Sequence, residues 1–476
     1  MACLKHTYAA QLPASLYSEQ VPEPVGNPAM ALYNEALAED MGIAGHFEDE
    51  QKTLGYLSGN ETVPGSQPIA QAYAGHQFGH FTRLGDGRAV LLGEVETKRG
   101  LYDLQLKGSG QTPYSRRGDG RATFYSMLRE YLVSEAMHAL RIPTSRSLAV
   151  VKTPGPVYRE QLHEGGILAR VAASHIRVGT FEYARFLGKP GDLEALLQYT
   201  IQRHYPALID RPNPALALLE EVMHRQKDLV VNWLRVGFIH GVMNTDNMAI
   251  SGETIDYGPC AFVNAYHPRT VFSSIDTKGR YAFANQPNIA YWNLSVFATA
   301  LLPLIDKEED TARAKAEEVL DQFPEAFAKV YFEMMSGKLG IVNQVEEDRE
   351  LVNSGLKLLA KWRVDYTNFF TELRRGGELI DKLRREEAFN TWYSKWEKAR
   401  SRGASLPESK ALMAKMNPVI IPRNHLVEEV LQSAVSGDMH PFHSLLEKLS
   451  SPYDEALPLQ TVPADFDASY QTFCGT

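Results

Sequence analysis

The alternation of apolar and polar positions divides the chain into a sheet-rich part and a helical part. Two β-rich runs in "LGDGRAVLLGEVETKRGLYDLQLKGSG" flank a polar turn at 96–100, which predicts a hairpin. "SLAVVKT", "PVYREQ" and "GGILARVA" predict further strands. Between them, residues 122–140 carry apolar side chains at helical spacing. The first third is therefore predicted to be a sheet with one inserted helix.

From about residue 180 onward the pattern is helical. Long amphipathic helices are predicted within 190–208, 213–238 and 306–340, and over most of 345–450. Residues 1–60 are predicted to be an irregular, Pro-punctuated lead-in with one helix in "ALYNEALAEDMGI". The stretch "GFIHGVMNTDNMAISGETIDYGP" predicts a buried strand, a polar loop and a short strand before Asp-Tyr-Gly-Pro.

Composition limits the class of protein. The chain has 476 residues, 44% of them hydrophobic, which is enough for two or three packed units. Its net charge of −9 gives no overall electrostatic attraction to nucleic acid, so we expect no nucleic-acid partner. The cysteines, Cys3, Cys260 and Cys474, form neither a C-x-x-C pair nor a zinc spacing, which favours a reducing compartment.

No segment has the sequence pattern of a membrane-spanning helix or a targeting signal. The N-terminus has no apolar run of signal-peptide length, and no run approaches the roughly 18–20 apolar residues of a spanning helix. We therefore expect no membrane partner and a soluble, cytoplasmic protein, or a mitochondrial one in a eukaryote.

The pentapeptide "GDGRA" occurs twice, at 85–89 and 118–122. Two glycines two positions apart allow backbone N–H groups to turn together around an anion, and arginine adds charge. The alternative for each copy is a hairpin turn with a solvated arginine. The repeat, with Arg116 and Arg117 beside the second copy, favours phosphate binding. The candidates are Gly85, Gly87, Arg88, Asp119 and Gly120.

A lysine, a glutamate and two arginines are further candidates. Lys107 ends a predicted strand and Glu130 lies on the following helix beside its apolar face, an arrangement that holds a lysine onto nucleotide phosphates in kinase-like folds. Glu135, on the same helix, is less well placed. Arg170 and Arg177 could converge on one anion. The alternatives are a solvated lysine, a glutamate on a helix surface and two surface arginines.

The loop at 240–258 resembles the H-R-D-x-x-x-x-N and D-F-G motifs of kinases in spacing. His240 and Asn247 match, whereas Val242 takes the place of the usual catalytic aspartate. Asn247 and Asp256 supply oxygen ligands for a hard divalent cation. Asp246 is the carboxylate left to act as a base. The alternative is an Asx-rich turn between strands.

These residues carry a family resemblance. "QLKGSGQTPYSRRGDGRA", "RVAASHIRVGTFEYA" and "HGVMNTDNMAISGETIDYGP" resemble the selenoprotein O (SelO) family, long classed as pseudokinases. "YTNFF" at 366–370 and "NPVIIPRNHLVEEVL" at 417–431 are similar to its C-terminal half. The resemblance covers about residues 60–450.

The resemblance implies an α+β, protein-kinase-like bilobal fold with ATP bound in a flipped orientation. Its domains would be an N-terminal extension (1–60), an N-lobe (61–165), a C-lobe with the catalytic loop (166–340), and a helical C-terminal extension and tail (341–476). The implied activity is Mg²⁺- or Mn²⁺-dependent transfer of AMP to Ser, Thr or Tyr hydroxyls of proteins. The resemblance leaves the substrates, ATP or UTP preference and oligomeric state open.

The resemblance also assigns roles to the candidates. Lys107 corresponds to the phosphate-binding lysine, Glu130 to its helix partner and Asp246 to the proton acceptor. Asn247 and Asp256 correspond to the metal ligands. The implied nucleotide contacts are Gly85, Gly87, Arg88, Asp119, Gly120, Arg170 and Arg177.

The C-terminus departs from the family pattern. Many members end near a selenocysteine or a C-x-x-C-like pair, whereas this chain ends "TFCGT" with Cys474 alone. A regulatory Cys260–Cys474 disulfide is therefore a hypothesis. Two other functions stay open: a phosphotransferase acting on a small molecule or protein, and a non-catalytic nucleotide-binding pseudokinase.

Overall fold

The structure, a computed structural model, describes residues 4–46, 49–463 and 466–473. Helices and strands are both abundant, in agreement with the predicted α+β class. The strands are β1 (Tyr17–Glu19), β2 (Ala29–Tyr33), β3 (Ile69–Gln71), β4 (Ala74–Gln77), β5 (His80–Arg83), β6 (Ala89–Thr97), β7 (Gly100–Lys107), β8 (Ala122–Thr123), β9 (Arg146–Tyr158), β10 (Leu162–Ala172), β11 (Phe238–Ile239) and β12 (Ala261–Phe262).

Helices occupy most of the second half of the chain. They are α1 (Thr7–Gln11), α2 (Glu35–Asp40), α3 (Glu50–Ser58), α4 (Phe124–Ala139), α5 (Val178–Phe186), α6 (Asp192–His204), α7 (Pro214–Val236), α8 (Gln286–Ile305), α9 (Glu309–Leu320), α10 (Phe323–Lys338), α11 (Asp348–Trp362), α12 (Tyr366–Arg375), α13 (Glu378–Leu383), α14 (Glu387–Arg400), α15 (Leu406–Met416), α16 (Asn424–Val435), α17 (His440–Leu449) and α18 (Phe466–Ser469).

The main sheet is antiparallel, in the order β1-β3-β6-β7-β10-β9-β2, with β8 paired to β10. The predicted hairpin forms as β6 and β7, and its turn joins Thr97 to Gly100. Both outer strands, β1 and β2, come from the first 60 residues, so the expectation of an irregular lead-in there was wrong. These short segments become strands because β3 and β9 offer unpaired edges to them.

The helix α4 packs on β9 and β10, and α16 and α17 pack on α4 in turn. Leu132, Leu168 and Leu431 share one buried core there. The helices α16 and α17 therefore pack against the N-terminal half of the chain, while α10 to α15 contribute to a separate core. The predicted boundary after residue 165 lies within β10, and the division into domains stays a prediction.

The segment Phe283–Ile305, which includes α8, is long and apolar enough to cross a membrane by length and composition. The expectation that no run approaches this length was therefore wrong. Half of its most apolar 18-residue window is buried in the fold, and α8 packs against α5, α7 and α9. A core helix with neighbours on several sides is apolar around much of its circumference, which explains the composition.

The polar loop lies between two short paired strands. The helix α7 is capped at its C-terminus by Gly237, whose φ of 80° allows the chain to reverse into β11. β11 then pairs with β12 in antiparallel register. The predicted short strand before Asp256 is absent from the described residues. Isolated bridges of Ala249 with Arg177 and of Thr254 with Thr144 take its place, after a turn of 3₁₀ helix at Thr245–Asn247.

Candidate active site

A cleft of about 860 Å³ separates the β6–β7 end of the sheet from the polar loop. Every candidate residue from the sequence contributes to its lining. These residues are Gly85, Gly87, Arg88, Lys107, Asp119, Gly120, Glu130, Arg170, Arg177, Asp246, Asn247 and Asp256.

Four charged side chains form a network of ion pairs at the base of the cleft. Lys107 Nζ is 2.6 Å from Glu130 Oε2 and 2.7 Å from Asp256 Oδ1. Arg170 Nη1 contacts the same two carboxylates, at 3.1 Å from Glu130 and 2.7 Å from Asp256. The lysine predicted to pair with a helix glutamate therefore does so, and the network joins a strand, a helix and the polar loop.

Strand geometry explains how the network is assembled. Side chains two residues apart on a strand point to the same face, so Gln105 and Lys107 share one face of β7, with Gln105 buried beneath the network. Gln105 lies opposite Arg170 in the β7–β10 register, and its Oε1 accepts a hydrogen bond from Arg170 Nη2 at 2.7 Å. On α4, Glu130 faces this network, whereas Glu135 pairs with Arg146 at 2.6 Å.

Arg177 is fully buried at the start of α5. Its guanidinium lies 4.3 Å from the centroid of the Tyr73 ring and donates to the Asp246 carbonyl at 2.9 Å. A second nitrogen, Nη2, has no hydrogen-bond partner among the described residues. Arg170 and Arg177 are thus buried cations rather than surface arginines, and both reach Asp256.

Three cations face two carboxylates at this end of the cleft. Burial by itself would raise the pKa of Asp256, but Lys107, Arg170 and Arg177 hold it well below its usual range. Asp256 also has a φ of 62°, a conformation that non-glycine residues adopt only at a cost. The surplus of positive charge in a partly enclosed cleft is suited to a polyphosphate anion.

The two G-D-G-R copies differ in structure. Asp86 of the first copy is buried and accepts from the Gln71 backbone at 3.1 Å and from Gln105 at 3.2 Å. Burial raises the pKa of Asp86 to about 6. Asp119 of the second copy is exposed at the rim and pairs with Arg159 at 2.9 Å. The two copies therefore share a sequence, but their aspartates lie in different structural environments.

Glycine is required in both loops for steric reasons. A Cβ on Gly85 would clash with the Tyr114 ring, and a Cβ on Gly120 would clash with the Gly110 carbonyl. Both glycines also have positive φ, 140° and 66°. The loops therefore bring their backbones against the cleft as the sequence suggested, although a bound phosphate is not needed to explain the glycines.

Asp246 lies at the cleft wall and is 8% exposed. Its Oδ1 atom has no hydrogen-bond partner among the described residues. Burial raises the pKa of Asp246 to about 7, against the opposing effect of Arg177. A carboxyl with a pKa near neutrality and an unpartnered oxygen is suited to accept a proton.

Asn247 is oriented by the loop itself. Its Nδ2 donates to the Val242 carbonyl at 2.9 Å, which leaves Oδ1 to face another ligand. His240, whose spacing matched the kinase motif, is buried with Nε2 at 3.0 Å from the Ile255 carbonyl, and so ties the loop to the residue before Asp256. Among the described residues no group of three or more His, Cys, Asp or Glu could hold a metal.

The donor set still suits a hard cation that is completed by a ligand. Mg²⁺ is commonly bound by one or two protein oxygens together with substrate phosphates and water. The carboxylate of Asp256 and the amide oxygen of Asn247 are hard oxygen donors lining one cleft.

Several residues of the site were missed from the sequence. Gln105 could have been found from its two-residue spacing to Lys107 on a predicted strand. Asp86 could have been found from its position in the first G-D-G-R segment. Tyr73 gave no local signal, because an aromatic ring beneath an arginine is defined only by the folded chain.

Cys260 lies near the site but is not exposed to it. Its thiol is free and buried, and burial raises its pKa to about 11. Cys474 lies outside the described residues, so the disulfide hypothesis stays untested.

Comparison with known proteins gives a consistent result. The family model described as protein adenylyltransferase SelO matches residues 2–450. A protein nucleotidyltransferase YdiU of Clostridium perfringens strain 13 is 49% identical over 478 residues, covering 99% of this chain and 97% of the relative. Proteins of the same name from Nitrosococcus oceani (99% and 97% covered) and Brevibacillus brevis (98% and 96%) are 49% and 50% identical.

Proposed function

The chain belongs to the SelO family of protein adenylyltransferases and is a nucleotidyltransferase, and from this premise we propose the reaction that its cleft performs. It transfers AMP from ATP to a Ser, Thr or Tyr hydroxyl of a protein and releases pyrophosphate. The sheet with α4 would act as the N-lobe of a kinase-like bilobal fold, and the helices from α5 onward as the C-lobe.

The observation that carries this proposal is the cluster of cations at the base of the cleft. Lys107, Arg170 and Arg177 converge on Asp256 within 2.7–3.5 Å. An ordinary kinase exposes the γ-phosphate to the acceptor. Here the greatest positive charge is deep in the cleft, which favours binding the β- and γ-phosphates there and presenting the α-phosphorus toward Asp246.

In the proposed reaction the acceptor oxygen attacks the α-phosphorus. The bond from that phosphorus to the oxygen bridging the α- and β-phosphates breaks, and pyrophosphate leaves with the bonding electrons. The Asp246 carboxylate accepts the hydroxyl proton, for which its pKa of about 7 is well matched. Arg170 and Arg177 offset the charge that develops on the leaving group.

A divalent cation, Mg²⁺ or Mn²⁺, would be held by Asn247 and Asp256. When bound it supplies charge neutralisation and alignment of the phosphates. The adjacent Lys107 holds Asp256 ionised, so the carboxylate is ready to accept a cation at neutral pH.

Two other functions fit parts of this geometry. A phosphotransferase would use the same lysine and metal ligands, but Val242 occupies the position of its usual base and is buried. A non-catalytic nucleotide-binding protein would not need an unpartnered, destabilising carboxyl at Asp246. Both observations favour AMP transfer.

The proposal can be tested directly by asking which phosphate of ATP is transferred to protein. The pure protein is incubated with Mg²⁺ or Mn²⁺ and with ATP labelled at the α-phosphate or, in parallel, at the γ-phosphate. Covalent label on protein from the α-position alone is the expected result. Label from the γ-position alone would establish a kinase, and the orientation proposed for ATP would then be wrong.

A further inference from the structure

A second concave surface lies beside the cleft. We call it the aromatic groove; it has a volume of about 390 Å³ and is lined by His76, Phe81, Phe186, Val296 and Thr299. Phe81 and Phe186 are 42% and 47% exposed, and their rings meet edge to face at 5.8 Å. Two adjacent exposed aromatic rings are costly in water and are typical of surfaces that bind another molecule.

The groove and the cleft share the β4–β5 hairpin. Gln77 and Phe78 of the β4–β5 hairpin line the cleft, whereas His76 lines the groove. The backbone N–H of His76 donates to Thr245 Oγ1 at 2.7 Å, and Thr245 immediately precedes Asp246. Strand β4 would therefore separate a polypeptide bound in the groove from the part of the cleft near Asp246, where the acceptor hydroxyl is proposed to bind.

The wall of the groove is fixed before any ligand binds. His76 Nδ1 is hydrogen-bonded to the fully buried carboxylate of Glu182 on α5. The His76 ring also packs edge to face with Trp292 at 5.5 Å. A preorganised wall reduces the entropy lost on binding, which is a property of recognition surfaces.

A buried guanidinium lies close to the same wall. The guanidinium of Arg280 lies 4.6 Å from the centroid of the Trp292 ring. Its Nε and Nη2 atoms are buried and have no hydrogen-bond partner among the described residues. These two nitrogens are enclosed by protein, so Arg280 adds positive charge near His76 rather than a hydrogen bond from either of them to a ligand.

The surroundings of the groove are also basic. Arg83 lies 5.9 Å from the Tyr183 ring, and Arg185 lies 5.6 Å from the Phe186 ring. The whole chain carries a net charge of −9, so this surface opposes the overall charge of the protein. The complementary partner is acidic and carries a large apolar side chain.

We propose that the aromatic groove docks the protein substrate by a segment in which an aromatic side chain is flanked by acidic residues. The aromatic side chain packs on the exposed faces of Phe81 and Phe186, and a neighbouring carboxylate pairs with the exposed Arg185. This inference rests on the proposed function, since it assigns the groove to the protein that receives AMP.

Three synthetic peptides provide the test. The first carries one phenylalanine flanked by glutamates and an acceptor tyrosine. The second has alanine in place of the phenylalanine, and the third has lysines in place of the glutamates. Binding of fluorescently labelled peptide is measured by anisotropy, which requires no catalysis, and AMP transfer is measured with α-labelled ATP.

The unmodified protein should bind the first peptide at least about fivefold more tightly than the other two. Phe81→Ser, Phe186→Ser and Arg185→Gln should each weaken its binding and raise its KM by about fivefold or more, with the KM for ATP unchanged. Leu406→Ser, 48% exposed on α15, is the matched control and should change neither quantity.

Equal binding of all three peptides, or unchanged binding by the folded groove variants, would overturn the inference even if AMP transfer is intact. Groove-dependent binding without covalent label would support the docking surface and instead contradict the proposed reaction. Circular dichroism and the midpoint of thermal unfolding identify any variant that fails to fold, and the remaining groove variants then decide the test.

Discussion

Lys107 Nζ lies 2.7 Å from Oδ1 of Asp256, a residue 149 positions later in the chain. The contact joins the end of β7 to the polar loop, and Glu130 holds the same ammonium from α4 at 2.6 Å. One lysine therefore connects three elements whose relative positions define the cleft. Buried ion pairs of this kind are costly to break on one side only, because the remaining charge stays buried without compensation.

Glu130→Gln should weaken ATP binding, because Lys107 and Arg170 lose a charged partner that positions both cations. We expect about a tenfold increase in the dissociation constant for MgATP, measured by isothermal titration calorimetry. Glu135→Gln is the matched control, since Glu135 lies on the same helix but pairs with Arg146 outside the cleft lining. Equal losses in both variants would show that the effect is one of helix stability.

Asp246→Asn should lower the rate of AMP transfer by about 100-fold or more and leave ATP affinity largely intact. The side chain keeps its size but no longer accepts a proton. Steady-state kinetics with α-labelled ATP measures the rate, and calorimetry measures binding. Full activity in this variant would rule out Asp246 as the base.

The same substitution should have a pH-dependent effect on stability. The folded-state pKa of Asp246, about 7, lies above its usual value near 3.8, so its contribution to stability is fully present below pH 4 and is lost as pH rises through 7. Asp246→Asn removes this ionisation penalty. Its midpoint of thermal unfolding should exceed that of the unmodified protein at pH 8 by roughly 2 °C and match it at pH 4. A difference independent of pH would contradict the assigned cause.

Asp256→Asn should make transfer dependent on a much higher concentration of divalent cation, because one of the two proposed ligands loses its charge. Chelation with EDTA should abolish transfer by the unmodified protein, and added Mn²⁺ should restore it. A titration of activity against Mn²⁺ compares the two proteins. Transfer that persists in EDTA would show that the reaction does not need the cation proposed here.

Gly75→Ala should impair transfer without removing ATP binding. A Cβ at this position of β4 would overlap the Asp246 carboxylate and displace it. We expect at least about a tenfold loss of kcat with unchanged calorimetric affinity for MgATP. Gly155→Ala is the matched control, because a Cβ there meets nothing within 4 Å. Unchanged kcat in Gly75→Ala would mean that the carboxylate position is not critical.

The sequence alone determined the local elements and the chemical composition of the site. The hairpin of β6 and β7 and the helix α4 follow from apolar periodicity, which is a local property of the chain. The spacing of Asn247 and Asp256 and the repeated G-D-G-R segments indicated anion and metal chemistry because residue type restricts what a loop can bind. All twelve candidate residues then proved to line one cleft.

Only the tertiary structure decided what depends on contacts between distant segments. The outer strands β1 and β2 form because they complete a sheet assembled elsewhere, and the apolar α8 is covered by its neighbours. The pKa of Asp246 and the different environments of Asp86 and Asp119 result from burial, which periodicity within the loops does not encode. The aromatic groove joins residues from β4, β5, α5 and α8, so its existence depends entirely on packing.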